Sequence, residues 1–226
     1  MKISGAPVAA LLTRPSAQAK RLGGRLCLDF ANGVGGWKEE ASKNGPPEYT
    51  VRDDRFLEYA DLIAWAFSGE VVTETQAHGL LREASSHSQS AQAVWKRGLR
   101  LRSAIHDVAR ALTAGRDPET EDLAVLAREA SQARAIARLA PGASNLEWRL
   151  PEGSLPLDAI LGPVALSAED YFTRADLTRL HACPGDSCGW LFEDVTRNRS
   201  RRWCDMGDCG NSAKVRQFRA RQAGKA

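Results

Sequence analysis

The apolar positions of the first 180 residues change period several times. From Arg25 to Phe30 they alternate, with Leu26, Leu28 and Phe30 on one side and Cys27 and Asp29 on the other, which predicts a half-buried strand. Leu146, Trp148 and Leu150 repeat the alternation and are expected to pair with that strand. Between the two the period becomes helical. Asp53 or Asp54 is expected to cap a helix carrying Phe56, Ala60, Ile63 and Phe67 on one face, and Thr73 a second helix running to about His87. Val94, Gly98, Leu101, Ile105, Val108 and Leu112 form a continuous stripe on a third helix that Gly115 ends. Asp117-Pro118-Glu119 starts a fourth, to about Leu139, because proline suits the first helical position and Asp can accept orphan amide hydrogens. Pro141 and Gly142 then break the chain, and a last helical region spans Leu157 to Leu180 with an interruption near Thr173.

These elements predict an α+β protein: a mostly helical N-terminal domain with a small sheet, residues 1–180, followed by a C-terminal treble-cysteine-loop zinc module ending in a short helix, residues 181–226. No Pro/Gly/Ser-rich linker separates them, since Leu177, Leu180 and His181 run straight into Cys183, so the two are expected to be held rigidly. The net charge of +3 conceals an asymmetry: residues 1–180 carry 22 basic and 23 acidic side chains, residues 181–226 carry 9 and 5. Near the N-terminus, Lys2 and the apolar run Ala6 to Leu12 loosely resemble a signal peptide, but Pro7 interrupts the run and Arg14 follows it. With no stretch of transmembrane length, the expectation is a cytoplasmic protein with reduced thiols.

Four of the five cysteines form a pattern, Cys183-x4-Cys188, fifteen residues, then Cys204-x4-Cys209. Two short spacings separated by a loop bring four thiolates to the corners of a tetrahedron, the geometry that Zn²⁺ accepts. Pro184-Gly185 and Gly207-Asp208 supply turn residues inside the two pairs. Two disulfides, or cysteines that merely pack, are the alternatives, and His181 could replace one ligand. Zinc is favoured because so short a segment cannot fold on its own core, whereas metal binding contributes on the order of 10–16 kcal/mol. Four protein ligands leave no open position, so one structural zinc is expected. Trp190, Phe192, Trp203 and Phe218 are expected to form its apolar shell.

The basic residues follow the same layout. The loop between the pairs holds Arg197, Arg199, Arg201 and Arg202, and the segment beyond Cys209 holds Lys214, Arg216, Arg219, Arg221 and Lys225. Asn211 can cap a final helix whose Val215 and Phe218 dock on the zinc core, leaving the cations outward. Arg197, Arg199, Arg201, Arg202, Lys214, Arg216, Arg219 and Arg221 are therefore the candidate nucleic-acid contacts, a patch of the kind that neutralises phosphates. The plainer reading is a solvated face, and four thiolates on zinc lower the module's formal +4 to about +2.

The stretch Cys188-Gly189-Trp190-Leu191-Phe192, then Asn198-Arg199-Ser200-Arg201-Arg202-Trp203-Cys204 and Cys209-Gly210-Asn211, resembles the CGNR zinc-finger family of bacterial proteins. In that family the finger follows an ABATE domain, whose opening motif resembles Leu28-Asp29-Phe30-Ala31-Asn32. The resemblance implies a stress-induced transcription regulator with duplex DNA as partner and the four cysteines as zinc ligands. The chain departs from the motif at Ser212, where the family has arginine, and at Gly33, where it has threonine.

The N-terminal domain shows no catalytic constellation, and an enzyme is not expected. Gly33-Val34-Gly35-Gly36 lacks the Lys-Ser/Thr of a phosphate loop and reads as a flexible turn. His78, His87 and His106 are scattered on helices, and Cys27 is a small buried hydrophobe. The long Gly/Pro-rich stretch from Asn32 to Tyr49 could form the mouth of a small-molecule effector pocket, with Asp29 and Asn32 beside it and Trp37 as a wall, the alternative being a loop that only connects. The leading expectation is a DNA-binding regulator controlled by such an effector, with no membrane association. The alternative is a zinc-stabilised protein-interaction adaptor.

Overall fold

A computed structural model describes residues 8–42 and 45–223. Lys2, the start of the run from Ala6, and Lys225 lie outside the described residues, while Val8 and Leu11 are buried in the helical core. The described residues are mostly helical, with three separate two-stranded antiparallel sheets. In order these elements are α1 (Leu26–Ala31), β1 (Val34–Glu40), β2 (Glu48–Asp54), α2 (Tyr59–Ser68), α3 (Glu74–Ser86), α4 (Ser88–Thr113), α5 (Thr120–Ile136), β3 (Arg138–Pro141), β4 (Leu146–Arg149), α6 (Gly162–Arg174), β5 (Leu180–Ala182), β6 (Leu191–Glu193) and α7 (Asn211–Ala223). No helix among the described residues is long and apolar enough to cross a membrane.

The helical periodicities hold. Thr73 caps α3 through a reciprocal box with Gln76, each accepting from the other's backbone amide at 2.8 and 3.2 Å. The α4 stripe is buried from Val94 to Val108, and Gly98 lets Leu62 and Leu161 close on the helix. The last helical region breaks into a short turn at Leu157–Leu161, α6, and a second turn at Leu177–Arg179.

Several expectations are corrected. Residues 26–31 are helical, because Cys27 and Ala31 are as buried as Leu28 and Phe30, so the apolar set wraps a helix instead of alternating across a strand. Leu146 and Trp148 do lie on a strand, but β4 pairs with β3. Helix α2 begins at Tyr59 with Glu58 and Asp61 forming its capping box. Asp54 belongs to β2 and instead grips the buried Arg102 with both carboxylate oxygens, at 2.6 and 2.7 Å. The fourth helix starts at Thr120 and ends at Ile136, with Glu119 as its cap.

The stretch Gly33–Gly36 is no flexible turn. It leads into β1, which pairs with β2 from Val34↔Asp54 to Glu40↔Glu48. Its glycines permit close backbone approach: a Cβ on Gly36 would lie 2.0 Å from the Ser187 carbonyl oxygen, and one on Gly189, whose φ is +58°, would meet the Trp37 Cβ at 2.9 Å. The β1–β2 hairpin thereby lies directly against the first cysteine loop. Val34 and Trp37 share one apolar cluster with Cys183, Cys188, Trp190, Phe192 and Cys204, so part of the sequence before residue 180 packs around the metal site.

Candidate metal centre and its basic surroundings

The first pair of cysteines sits on a hairpin. Strand β5 pairs with β6 from Leu180↔Glu193 to Ala182↔Leu191, and the Cys183 amide donates to the Trp190 carbonyl at 2.7 Å. Ser187 and Gly189, both with positive φ, turn the chain so that Cys188 curls back toward Cys183. The second pair is closed by Asp205, whose carboxylate accepts from the Gly207 amide at 2.8 Å and starts a wide helical turn, Met206–Gly210, carrying Cys209.

The four sulfurs lie within 4.8 Å of one another, with Cys188 to Cys204 at 3.6 Å and Cys204 to Cys209 at 3.7 Å. A tetrahedral zinc with bonds of about 2.3 Å requires sulfurs about 3.8 Å apart, so the donor set fits one ion. The thiols share their protons unequally: hydrogen bonds from Cys188 and Cys204 favour the ionised form of Cys183, which in turn raises Cys188 and, together with Cys188, raises Cys204, while burial raises Cys209. A bound dication would favour all four as thiolates, tie the two loops together and leave no open coordination position. His181 is not among the ligands and packs against Phe192. Of the expected apolar shell, Trp190 and Phe192 are buried and Trp203 is half-buried, but Phe218 is 64% exposed and Val215 41%. Helix α7 continues directly from the Met206–Gly210 turn, and over residues 211–222 only Ala213 is half-buried, which leaves that apolar pair in solvent.

The eight candidate cations separate into distinct roles. Arg201 is turned inward: its guanidinium donates to the carbonyls of Cys204 at 2.7 Å, Leu22 at 2.8 Å and Trp203 at 3.2 Å, and lies 4.4 Å over the Phe192 ring. It fastens the second cysteine loop to the segment preceding α1, so its guanidinium is engaged within the protein, where its place in an arginine run had suggested a side chain free in solvent. Arg199 is ion-paired with Asp176 at 3.1 Å and Arg216 with Asp186 at 2.7 Å. Arg197, Arg202, Lys214, Arg219 and Arg221 are exposed, and none has a carboxylate partner among the described residues. Arg202 and Lys214 line one open groove of about 660 Å³ between the loop and α7, together with Trp203, Met206 and Gln217.

Asp194, which sequence reasoning did not single out, organises the loop. Fully buried, it accepts from the Thr196 amide at 2.8 Å, the Thr196 hydroxyl at 2.6 Å and the Arg201 amide at 2.9 Å, and the Thr196 bonds hold its carboxyl below the usual range. The spacing Asp-x-Thr is the sequence signal for such a turn.

The residues expected to frame an effector pocket are interior. The Asn32 amide nitrogen donates to the Leu191 carbonyl and its oxygen accepts from the Leu191 amide, both at 2.8 Å, so Asn32 clamps β6 to the end of α1. Asp29 accepts from the Gly23 amide at 2.8 Å. Trp37, 3% exposed, stacks on the buried His106 ring at 3.9 Å and donates to the Ala31 carbonyl. Asn32 and Trp37, whose amide donates to the Cys188 carbonyl at 2.8 Å, hold the cysteine hairpin against the helical domain, while the half-buried Asp29 fixes the turn before α1. His78 and His87 pair with Glu74 and Glu83 one turn earlier, and burial lowers the pKa of His106.

Comparison with known proteins places residues 24–175 in the ABATE family, described as "Putative stress-induced transcription regulator", and residues 179–222 in the CGNR zinc finger. No curated protein matches the chain.

Proposed function

Because the chain belongs to the ABATE family and ends in a CGNR zinc finger, we propose that it regulates transcription by gripping duplex DNA through the loop between its cysteine pairs and through helix α7. The observation that carries this reading is the separation of the module's charges. Its carboxylates have partners close at hand: Asp186 holds Arg216, Asp205 holds Lys20, Glu193 holds Arg25 and Asp194 holds the loop. Arg197, Arg202, Lys214, Arg219 and Arg221 are left facing solvent with no such neighbour. Helix α7 carries four cations and no acid. Five free cations are what a phosphate backbone complements, and their contribution comes from released counterions. The zinc and Arg201 act one step back, by fixing the loop and the helix relative to each other.

Fluorescence anisotropy with a labelled duplex at several salt concentrations tests this. For about five neutralised phosphates the slope of log K against log salt is expected near −4 to −5, and the pair Arg202→Ala with Lys214→Ala should flatten it by about two units. No binding at low salt, or an unchanged slope in the double variant, would overturn the reading. The exposed Val215 and Phe218 favour a second reading, a protein-interaction adaptor docking on α7, which the first of those outcomes would support.

A further inference from the structure

The β3–β4 hairpin plays no part in the metal centre, yet it is built unlike a finished surface. It has only two strands and no third among the described residues, so each strand presents an unpaired edge. All of β4 is exposed. The register sets Leu139 opposite Trp148 and Pro141 opposite Leu146, which puts these side chains on one face, with Leu139 54%, Leu146 62% and Trp148 46% exposed. On the other face Glu147 and Arg149 bond to each other at 2.9 Å and, among the described residues, to no further ionic partner.

The segment reads Leu146-Glu147-Trp148-Arg149-Leu150, and it is complementary to itself when reversed. If a second copy is laid antiparallel about a two-fold axis at Trp148, Glu147 faces Arg149 of the other copy twice, Trp148 faces Trp148, and Leu146 lies opposite the half-buried Leu150, just past the end of β4, twice. A two-fold axis perpendicular to the sheet keeps each face with itself, so the axis must pass beside a residue. Moving it to Glu147 or to Arg149 sets like charges opposite each other, which is destabilising. The charges thus select one register out of the neighbouring ones, and the same register gathers the exposed apolar side chains of both copies onto one face. We propose that β4 pairs with β4 of a second copy of this chain about Trp148, making a four-stranded sheet and an isologous dimer.

Sedimentation velocity of the zinc-loaded full chain should give about twice the 24.6 kDa monomer mass. Glu147→Arg and Arg149→Glu each turn two attractive pairs repulsive and should weaken association by at least about tenfold. The double variant Glu147→Arg/Arg149→Glu restores opposite charges at the same positions and should recover the dimer, which a variant that merely failed to fold would not do. Trp148→Cys should cross-link to itself under mild oxidation, because directly opposed Cα atoms about 4.5–5.5 Å apart fall within disulfide range. A monomer at every attainable concentration overturns the proposal. So does a dimer indifferent to both single reversals, a folded double variant that stays monomeric, or no cross-link at position 148.

Discussion

Replacing Arg201 by alanine should destabilise the protein, while replacing its neighbour Arg202 should not, although the two are adjacent in one run of basic residues. Arg201 donates to the carbonyls of Cys204 and Leu22 at 2.7 and 2.8 Å and stacks 4.4 Å from Phe192. A hydrogen bond to a charged group contributes about 1.5–3 kcal/mol, and the half-buried setting argues for the lower end. The two short bonds together therefore set the expected loss at about 3 kcal/mol, or a melting temperature lower by about 6–12 °C for a chain of this length. Arg202 is exposed and partnerless, so Arg202→Ala should stay within about 0.5 kcal/mol of the parent. Thermal unfolding of the two zinc-loaded variants, followed by circular dichroism, measures the difference. On DNA the order should invert: Arg202→Ala lowers the salt slope by about one unit and Arg201→Ala leaves it alone at temperatures where it is folded. Equal stability for both variants would refute the reasoning, as would an Arg201→Ala protein that keeps its stability and loses salt slope.

Thiol titration and elemental analysis should agree on one zinc per chain, with no thiol reacting readily in the loaded protein and four reacting after chelation under native conditions. Cys27 should stay silent until the chain unfolds, since it is fully buried and burial pushes its pKa up to about 12; five reactive thiols after chelation alone would show that losing the metal opens the helical core as well. Gly36→Ala should cost about 2–3 kcal/mol and loosen zinc retention, because its Cβ would sit 2.0 Å from the Ser187 carbonyl oxygen; denaturant midpoints together with chelator-competition rates check both halves, and a neutral result would mean that the hairpin can retreat from the cysteine loop.

Much of the helical architecture was legible because it is local. The stripe on α4 and the Thr73 cap depend on residues a few positions apart, and both formed where the pattern placed them; the structure adds Gln76 as the second half of that cap. The strand expected at Leu26–Phe30 failed for a reason visible only in three dimensions: burial does not alternate along the segment, since Cys27 and Leu28 are consecutive and both fully buried, and Phe30 and Ala31 follow in the same way. Gly33–Gly36 looked like a turn because glycine is ambiguous by itself. Its use, letting β1 approach the cysteine loop, depends on Ser187, about 150 residues away.

By itself the sequence determined the metal centre, since two short-spaced cysteine pairs and their turn residues carry nearly all the geometry a tetrahedral ion needs. It also located the basic segments, because charge is a property of composition. The roles of the individual arginines, and of Asn32 and Trp37, were decided by the tertiary structure alone. Arg201 turns inward because Leu22 and Phe192 meet it there, and Asn32 clamps because Leu191 lies opposite. Leu22 and Leu191 are distant in sequence from the side chains they meet, and a side chain able to reach either water or a buried carbonyl takes whichever the fold puts within hydrogen-bonding distance.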